Sequence, residues 1–352
     1  MGLPAKLRFW RFYSNPIRQN YFSIIKWGLT QTFGKIRNAF TIVQPESVAD
    51  RIEVYRKYDE LQANGKTDLP TVALVEEMVA TDITEALRAE GIRVFPPVLF
   101  KASLTPKFLI VSKRAKIGRI SPDPLIRPEL TAVQRQELES FVEKNDPSLS
   151  AYVADLGGIS LFPPIVHLYP VQTLIEVAAH EWCHTHLFFS PLGLFYFATD
   201  RNIASINEIT CTILGKGIIR RVQAKYGWEE KKEDPPQPEK KEDRPNYGRM
   251  LHAIRKQVDD FLREGKVTDA GIYMREATSS LRKHWPNHLK LSTAYFAFYG
   301  NYGGGAAGTD PTARQLGELR QKSGSLKNFL KKLRRISSRE NFEKLLKEER
   351  IS

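Results

Sequence analysis

Apolar positions recur at helical spacing soon after residue 45. In "ESVADRIEVYRKYDELQANG" and "TVALVEEMVATDITEALRAEGI" hydrophobic side chains fall three and four apart and a glycine ends each run, which predicts two helices opening the core. The period then changes. "FPPVLF" (95–100) and "KFLIVSKRAKIGRI" (107–120) predict strands, their prolines marking a bend or an edge position. "PELTAVQRQELESFVEKN" returns to helix, and "AYVADLGGISLFPPIVHL" predicts one or two further strands broken at Gly157, Gly158, Pro163 and Pro164.

From Val171 the pattern is helical to about Phe189, where Pro191 stops it. A second long helix is predicted from about Ile203 to Lys225. "EEKKEDPPQPEKKEDRP" has almost no apolar side chain and cannot join a core, so it reads as an exposed linker or insertion. Residues 247–352 look helical, interrupted by "YGNYGGGAAGTDP". That glycine run lacks the Lys-Ser/Thr ending of a phosphate-binding loop.

Charge changes the picture only at the ends. Of the net +13, residues 1–45 supply seven bases and no acid, and residues 311–352 twelve bases against five acids, so the middle is close to neutral. The core therefore offers no basic face for specific nucleic-acid binding. Tyr21, Ile24, Ile25, Gly28, Leu29 and Phe33 share one face of a helix with Arg18, Lys26, Lys35 and Arg37 around it. Such a helix suits an anionic membrane surface, and equally a docked position on the protein. No apolar run of signal-peptide or membrane-spanning length is found, so a cytoplasmic protein, peripheral on a membrane at most, is expected. Lys6 stands where N-myristoylation favours Ser or Thr. Cys183 and Cys211 are too few for a disulfide framework and are expected as a buried reduced pair.

Candidate chemistry lies in "AAHEWCHTHLFF" (178–189). At about 100° per residue His180 and His184 stand about 40° apart, with Glu181 about 60° beyond His184. All three share one side of the helix. Val171, Leu174, Ile175, Ala178 and Trp182 form a separate apolar stripe, which leaves the histidine side free for a metal. His186 turns about 200° from His184 and reads as a packing residue. His167, His252, His284 and His288 have no partner at ligand spacing.

A chain of this composition meets His-Glu-x-x-His by accident on the order of once in a hundred, so context must support the motif. The next predicted helix supplies a carboxylate. "INEITC" carries Asn207 and Glu208, and "SPLGLFYFATDRN" is long enough to bring that helix back antiparallel and aim Glu208 at the histidines.

HEWCH followed by Asn-Glu on the next helix resembles the gluzincin metallopeptidases, the thermolysin-like and aminopeptidase-like group with two histidines and one glutamate on zinc. "FPPVLF", the strand pairs, "AAHEWCH", "INEIT" and "AYFAFYGNYG" together resemble a group of bacterial metallopeptidases of this type, over roughly residues 70 to 335; only the ligand motif is specific. The resemblance implies an α+β fold: a mainly helical zincin-like catalytic domain at 46–228, with a small sheet before the HExxH helix. A basic segment (1–45), a linker (229–246) and a helical C-terminal region (247–352) complete the expected division. It also implies one Zn2+ held by His180, His184 and Glu208. Two departures stand out. Thr212 occupies the place of the aspartate that orients a histidine in thermolysin-like chains, and no Gly-x-Met-Glu-Asn segment of the aminopeptidase kind is present.

The expected activity is peptide-bond hydrolysis, with Glu181 as general base and a peptide or protein as substrate. Tyr295, Tyr299 and Tyr302 are candidate donors to the oxyanion, although core or loop packing would also account for each. An edge strand within 156–166 could pair with extended substrate. The rival readings are a non-catalytic scaffold stabilised by zinc, or a membrane-surface protein acting through its basic ends.

Overall fold

The computed structural model describes residues 16–120, 123–160, 162–194, 201–228, 246–286, 288–299 and 311–351, with backbone alone at 32–34, 36–40, 201 and 202. The expected linker (except Asn246), the glycine-rich stretch 300–310 and Tyr302 lie outside the described residues. Helices account for 63% of the structure and the strands are few and mostly short, so the fold is α+β and mainly helical. No described helix is long and apolar enough to cross a membrane.

Two compact units interleave along the chain. One comprises residues 25–105, 157–237 and 311–352; the other comprises 1–24, 106–156 and 238–310. The sequence suggested successive segments instead. It could not show that strands 107–155 fold with helices 247–299, because that association rests on contacts far apart in the chain.

In the first unit, Val48–Ala63 and Leu69–Ala89 are the two expected opening helices. Ser47 and Asp68 accept from the backbone N–H of Asp50 and Thr71, satisfying donors that the first turn leaves unpaired. Gly65 and Gly91 follow the helices at positive φ, a conformation glycine adopts without steric cost. The next strand differs from expectation. No strand forms at "FPPVLF", because Pro96 and Pro97 have no N–H for a ladder; pairing begins at Lys101–Ala102. Lys101–Ala102 runs parallel to Ile165–Val166, which pairs antiparallel with Gly158–Ile159, leaving the last strand at the sheet edge.

Helices Val171–Leu187 and Arg201–Tyr226 pack on each other more extensively than any other helix pair. Pro191 ends the first as expected and also starts a short turn, Pro191–Leu194, where its missing N–H costs nothing. The apolar stripe Val171, Leu174, Ile175, Ala178 and Trp182 is buried in one core with Ile206, Cys211, Leu214 and Ile218 of the partner helix. Pro170 offers no side-chain cap; Asp59, on the Val48–Ala63 helix, accepts from the Val171 N–H at 2.7 Å instead. Helices Thr312–Lys322, Leu326–Leu333 and Arg339–Glu348 complete this core through Leu316, Phe329 and Phe342.

In the other unit, Lys107–Lys113 is the central strand of an antiparallel sheet, between Leu149–Asp155 on one side and Lys116–Arg119 and Leu125–Ile126 on the other. Leu109 and Val111, with Ala151 and Val153 opposite, bury against Leu138 and Val142 of helix Ala132–Asn145. Tyr152 points to the opposite face, where its ring meets Tyr295 edge-on. Covering on both faces explains why "LSAYVAD" reads as a nearly unbroken apolar run.

Candidate metal centre

The histidine helix and its partner run antiparallel. Gln172 contacts Gln223, His180 contacts Thr212, and His184 contacts Asn207, so contacts rise along one helix as they fall along the other. Close approach needs a glycine at one point. A Cβ on Gly215 would stand 2.7 Å from the Glu176 carbonyl oxygen and 3.5 Å from His180 Cβ. Backbone cannot yield as a side chain can, so alanine there would push the helices apart despite its higher helix propensity.

This packing brings together His180, His184 and Glu208, whose ligand atoms all lie within 4.8 Å of one another. The two Nε2 atoms are 3.0 Å apart, and Glu208 Oε2 is 3.4 Å from one and 3.6 Å from the other. Ligands at about 2.0–2.1 Å from a tetrahedral ion stand about 3.3–3.4 Å apart, so the triangle has the size of one face of a zinc coordination shell.

The outer ring nitrogens are engaged as well. His184 Nδ1 faces Asn207 Oδ1 at 2.6 Å, and Asn207 Nδ2 donates to the Leu192 carbonyl at 3.3 Å, which fixes the amide so that its oxygen meets the ring. Thr212 Oγ1 donates to the Glu208 carbonyl at 2.9 Å and stands 3.4 Å from His180 Nδ1 as an acceptor. Both imidazoles are thus set to carry their proton on Nδ1 and to turn an Nε2 lone pair inward. Two lone pairs facing each other at 3.0 Å repel unless a cation or an added proton lies between them. In the sequence Asn207 stands out only as the neighbour of Glu208. Its role beneath His184 depends on the helix pairing, although the absence of an aspartate at Thr212 had signalled that some other group must orient a histidine.

Protonation patterns follow from the same crowding. Burial would lower the His184 pKa, but the Glu208 charge and hydrogen bond outweigh it and push the imidazole up to about 9. Burial would raise Glu208, yet His184 and His180 hold it well below the carboxylate range. Without metal, His184 therefore keeps a proton at neutral pH. A raised histidine adds stability that is fully present below its ordinary pKa and is lost as pH rises through about 9. The thermal midpoint of chelator-treated protein should accordingly fall between about pH 7 and 10, while a metal-loaded sample loses less, since a cation replaces the proton. Superimposable pH profiles for the two samples would contradict this coupling.

Glu181 is buried beside the triad without ligating position in it. Burial pushes its carboxyl above the ordinary range and the Glu208 carboxylate adds to this, against the two imidazoles. It packs on the edge strand: a Cβ on Gly158 would stand 2.3 Å from Glu181 Oε1 and 2.7 Å from Cγ and Cδ, so only glycine leaves room for the carboxylate. Ser160 Oγ donates to the Glu181 carbonyl at 3.3 Å.

The remaining candidates fall outside the cluster. His186 stacks on Trp182 and its Nδ1 meets the Phe95 carbonyl at 2.7 Å, a packing position as expected. His167 touches Tyr169, and His288 touches Tyr247 and Tyr295. Cys183 and Cys211 are buried and unbridged, with Cys211 Sγ 3.5 Å from His184 Nδ1. Tyr295, buried, and Tyr299, partly buried, pack around Tyr152 in the unit of residues 106–156 and 238–310. Comparison with protein-family models, curated proteins and solved structures gives no match.

Proposed function

We propose that the protein is a zinc-dependent peptide-bond hydrolase of the gluzincin kind. The observation that carries this reading is the triangle of His180 Nε2, His184 Nε2 and Glu208 Oε2 at tetrahedral-edge spacing, with both Nδ1 atoms held from behind. Two imidazoles and one carboxylate suit zinc and leave one position open to water. Bound zinc supplies Lewis acidity and makes that water more acidic.

In this reading His180, His184 and Glu208 hold the ion, and Asn207 and Thr212 fix the two rings. Glu181 takes a proton from water attacking the peptide carbonyl and delivers it to the departing amine. Its raised affinity for a proton suits both transfers. The edge strand Gly158–Ile159, against which Glu181 packs, pairs on one side only among the described residues and can pair with an extended substrate backbone.

Metal content of the purified protein, followed by hydrolysis of a mixed peptide library before and after treatment with a zinc chelator, tests the proposal. Stoichiometric zinc and chelator-sensitive cleavage are expected. A zinc-loaded protein that cleaves no peptide bond would overturn the hydrolase reading and leave the non-catalytic ones.

A narrower test concerns Gly158. In Gly158→Ala the new Cβ displaces a flexible carboxylate rather than backbone, so stability and metal content should hold while hydrolysis falls about 100-fold from misplacement of the base. Equal activity with Gly158→Ala would separate Glu181 from the reaction.

A further inference from the structure

In the N-terminal amphipathic helix, Ile24–Thr41, a base is buried while two apolar side chains lie exposed. Its basic residue Lys35 is buried, paired with Glu76 at 2.5 Å and Glu77 at 3.3 Å, while Ile25 is 76% and Leu29 64% exposed. Gly28 lies between them along the helix and approaches the Phe162 carbonyl, 3.8 Å from where its Cβ would be. Phe162 is itself exposed.

Phe162 opens one Phe-Pro-Pro segment and Phe95 the other. Both segments precede strands that run parallel as neighbours, so they leave the same end of the sheet. Phe95 is exposed too, and its ring meets Phe189 at 5.2 Å, which in turn meets exposed Phe188 at 5.5 Å. Two apolar side chains on a helix and four phenylalanines on turns and a helix end thus project from one unit.

The chain segments that supply them contain no acidic residue: positions 21–45, 91–122, 157–175 and 182–199 are all free of Asp and Glu. Arg93 lies 5.9 Å over the Phe95 ring. Residues 319–339 likewise hold eight bases and no acid. Within them the Arg334 carbonyl accepts from the Leu192 N–H at 3.5 Å, which sets exposed Arg334 and Arg335 beside the turn that follows Phe189.

We propose that this projecting apolar and basic surface docks the protein on an anionic lipid bilayer, with Ile25, Leu29, Phe95, Phe162, Phe188 and Phe189 entering the interface and Arg93, Arg334 and Arg335 meeting lipid headgroups. Exposed aromatics beside arginine, on segments whose sequence holds no acid, match the interfacial region chemically. Aliphatic Ile25 and Leu29 have no counterpart in a nucleic-acid backbone. The inference stands independently of the metal centre.

Co-sedimentation of the full chain with phosphatidylcholine vesicles, and with vesicles in which about one third of the lipid is phosphatidylglycerol, provides the test. Strong binding to the anionic vesicles and weak binding to the neutral ones are expected. The pairs Phe95→Ser with Phe189→Ser, and Ile25→Ser with Leu29→Ser, should each reduce partitioning about ten-fold or more. These positions are exposed, so unchanged thermal midpoints should accompany the loss. As a second readout, Phe162→Trp should add fluorescence that brominated lipid quenches. Absence of vesicle binding would overturn the proposal. So would variants that sediment like the parent with no quenching at position 162, since attachment would then rest on the basic chain ends alone.

Discussion

Replacing Glu181 with glutamine is expected to leave zinc content intact and to lower peptide hydrolysis by about 10³-fold, the middle of the range for loss of a positioned general base. Glutamine keeps the size of the side chain against Gly158, so the packing that a smaller residue would disturb is preserved. It removes only the ability to take up a proton. Burial already shifts this carboxyl toward holding a proton, above an ordinary glutamate. Steady-state cleavage together with metal analysis checks the outcome. Retained hydrolysis in a zinc-loaded Glu181→Gln protein would defeat the mechanism.

Glu208→Ala should weaken zinc binding more than any change outside the three ligands. It removes one of three protein donors and also the negative charge that draws a cation between two histidines. The helix around it should survive, because Glu208 is only partly buried and alanine favours helix. Competition against a chromogenic chelator measures the loss, expected at about 100-fold or more in affinity, with hydrolysis falling in parallel at limiting zinc. Unchanged affinity would place the third ligand elsewhere. Asn207→Ala provides the intermediate case: the donors remain but His184 loses the acceptor that orients it, so affinity should fall by about 10- to 100-fold.

Much of this site was legible in the residues. His180 and His184 share a helix face at any tertiary arrangement, since 3.6 residues per turn bring positions four apart together. Glu208 was legible because the intervening segment permits an antiparallel return, and the stripe from Val171 to Trp182 lies in the core as its spacing predicts. The two opening helices likewise start at side-chain caps and end near glycines, signals contained within a few residues.

Other features had no local signal. "FPPVLF" is apolar like a strand, yet its prolines displace pairing to Lys101–Ala102. "AYVADLGGISLFPPIVHL" reads as one stretch but divides between two sheets in two units, since each strand is defined by a partner distant in sequence. Tyr295 and Tyr299 pack around Tyr152, a strand residue far earlier in the chain, and no local pattern signals that contact.

The sequence by itself determined which residues can ligate a metal, that two of them share a helix face, and that the chain is mainly helical, because these depend on residue type and helical period. Only the tertiary structure decided that Asn207 holds His184, that Gly158 makes room for Glu181, that Asp59 caps the histidine helix, and that Lys35 faces inward while Ile25 and Leu29 face out. Each of those outcomes joins atoms tens of residues apart or chooses between two faces of one helix. Such choices are set by the energy of burying and pairing groups in the assembled core, which no short stretch of chain contains.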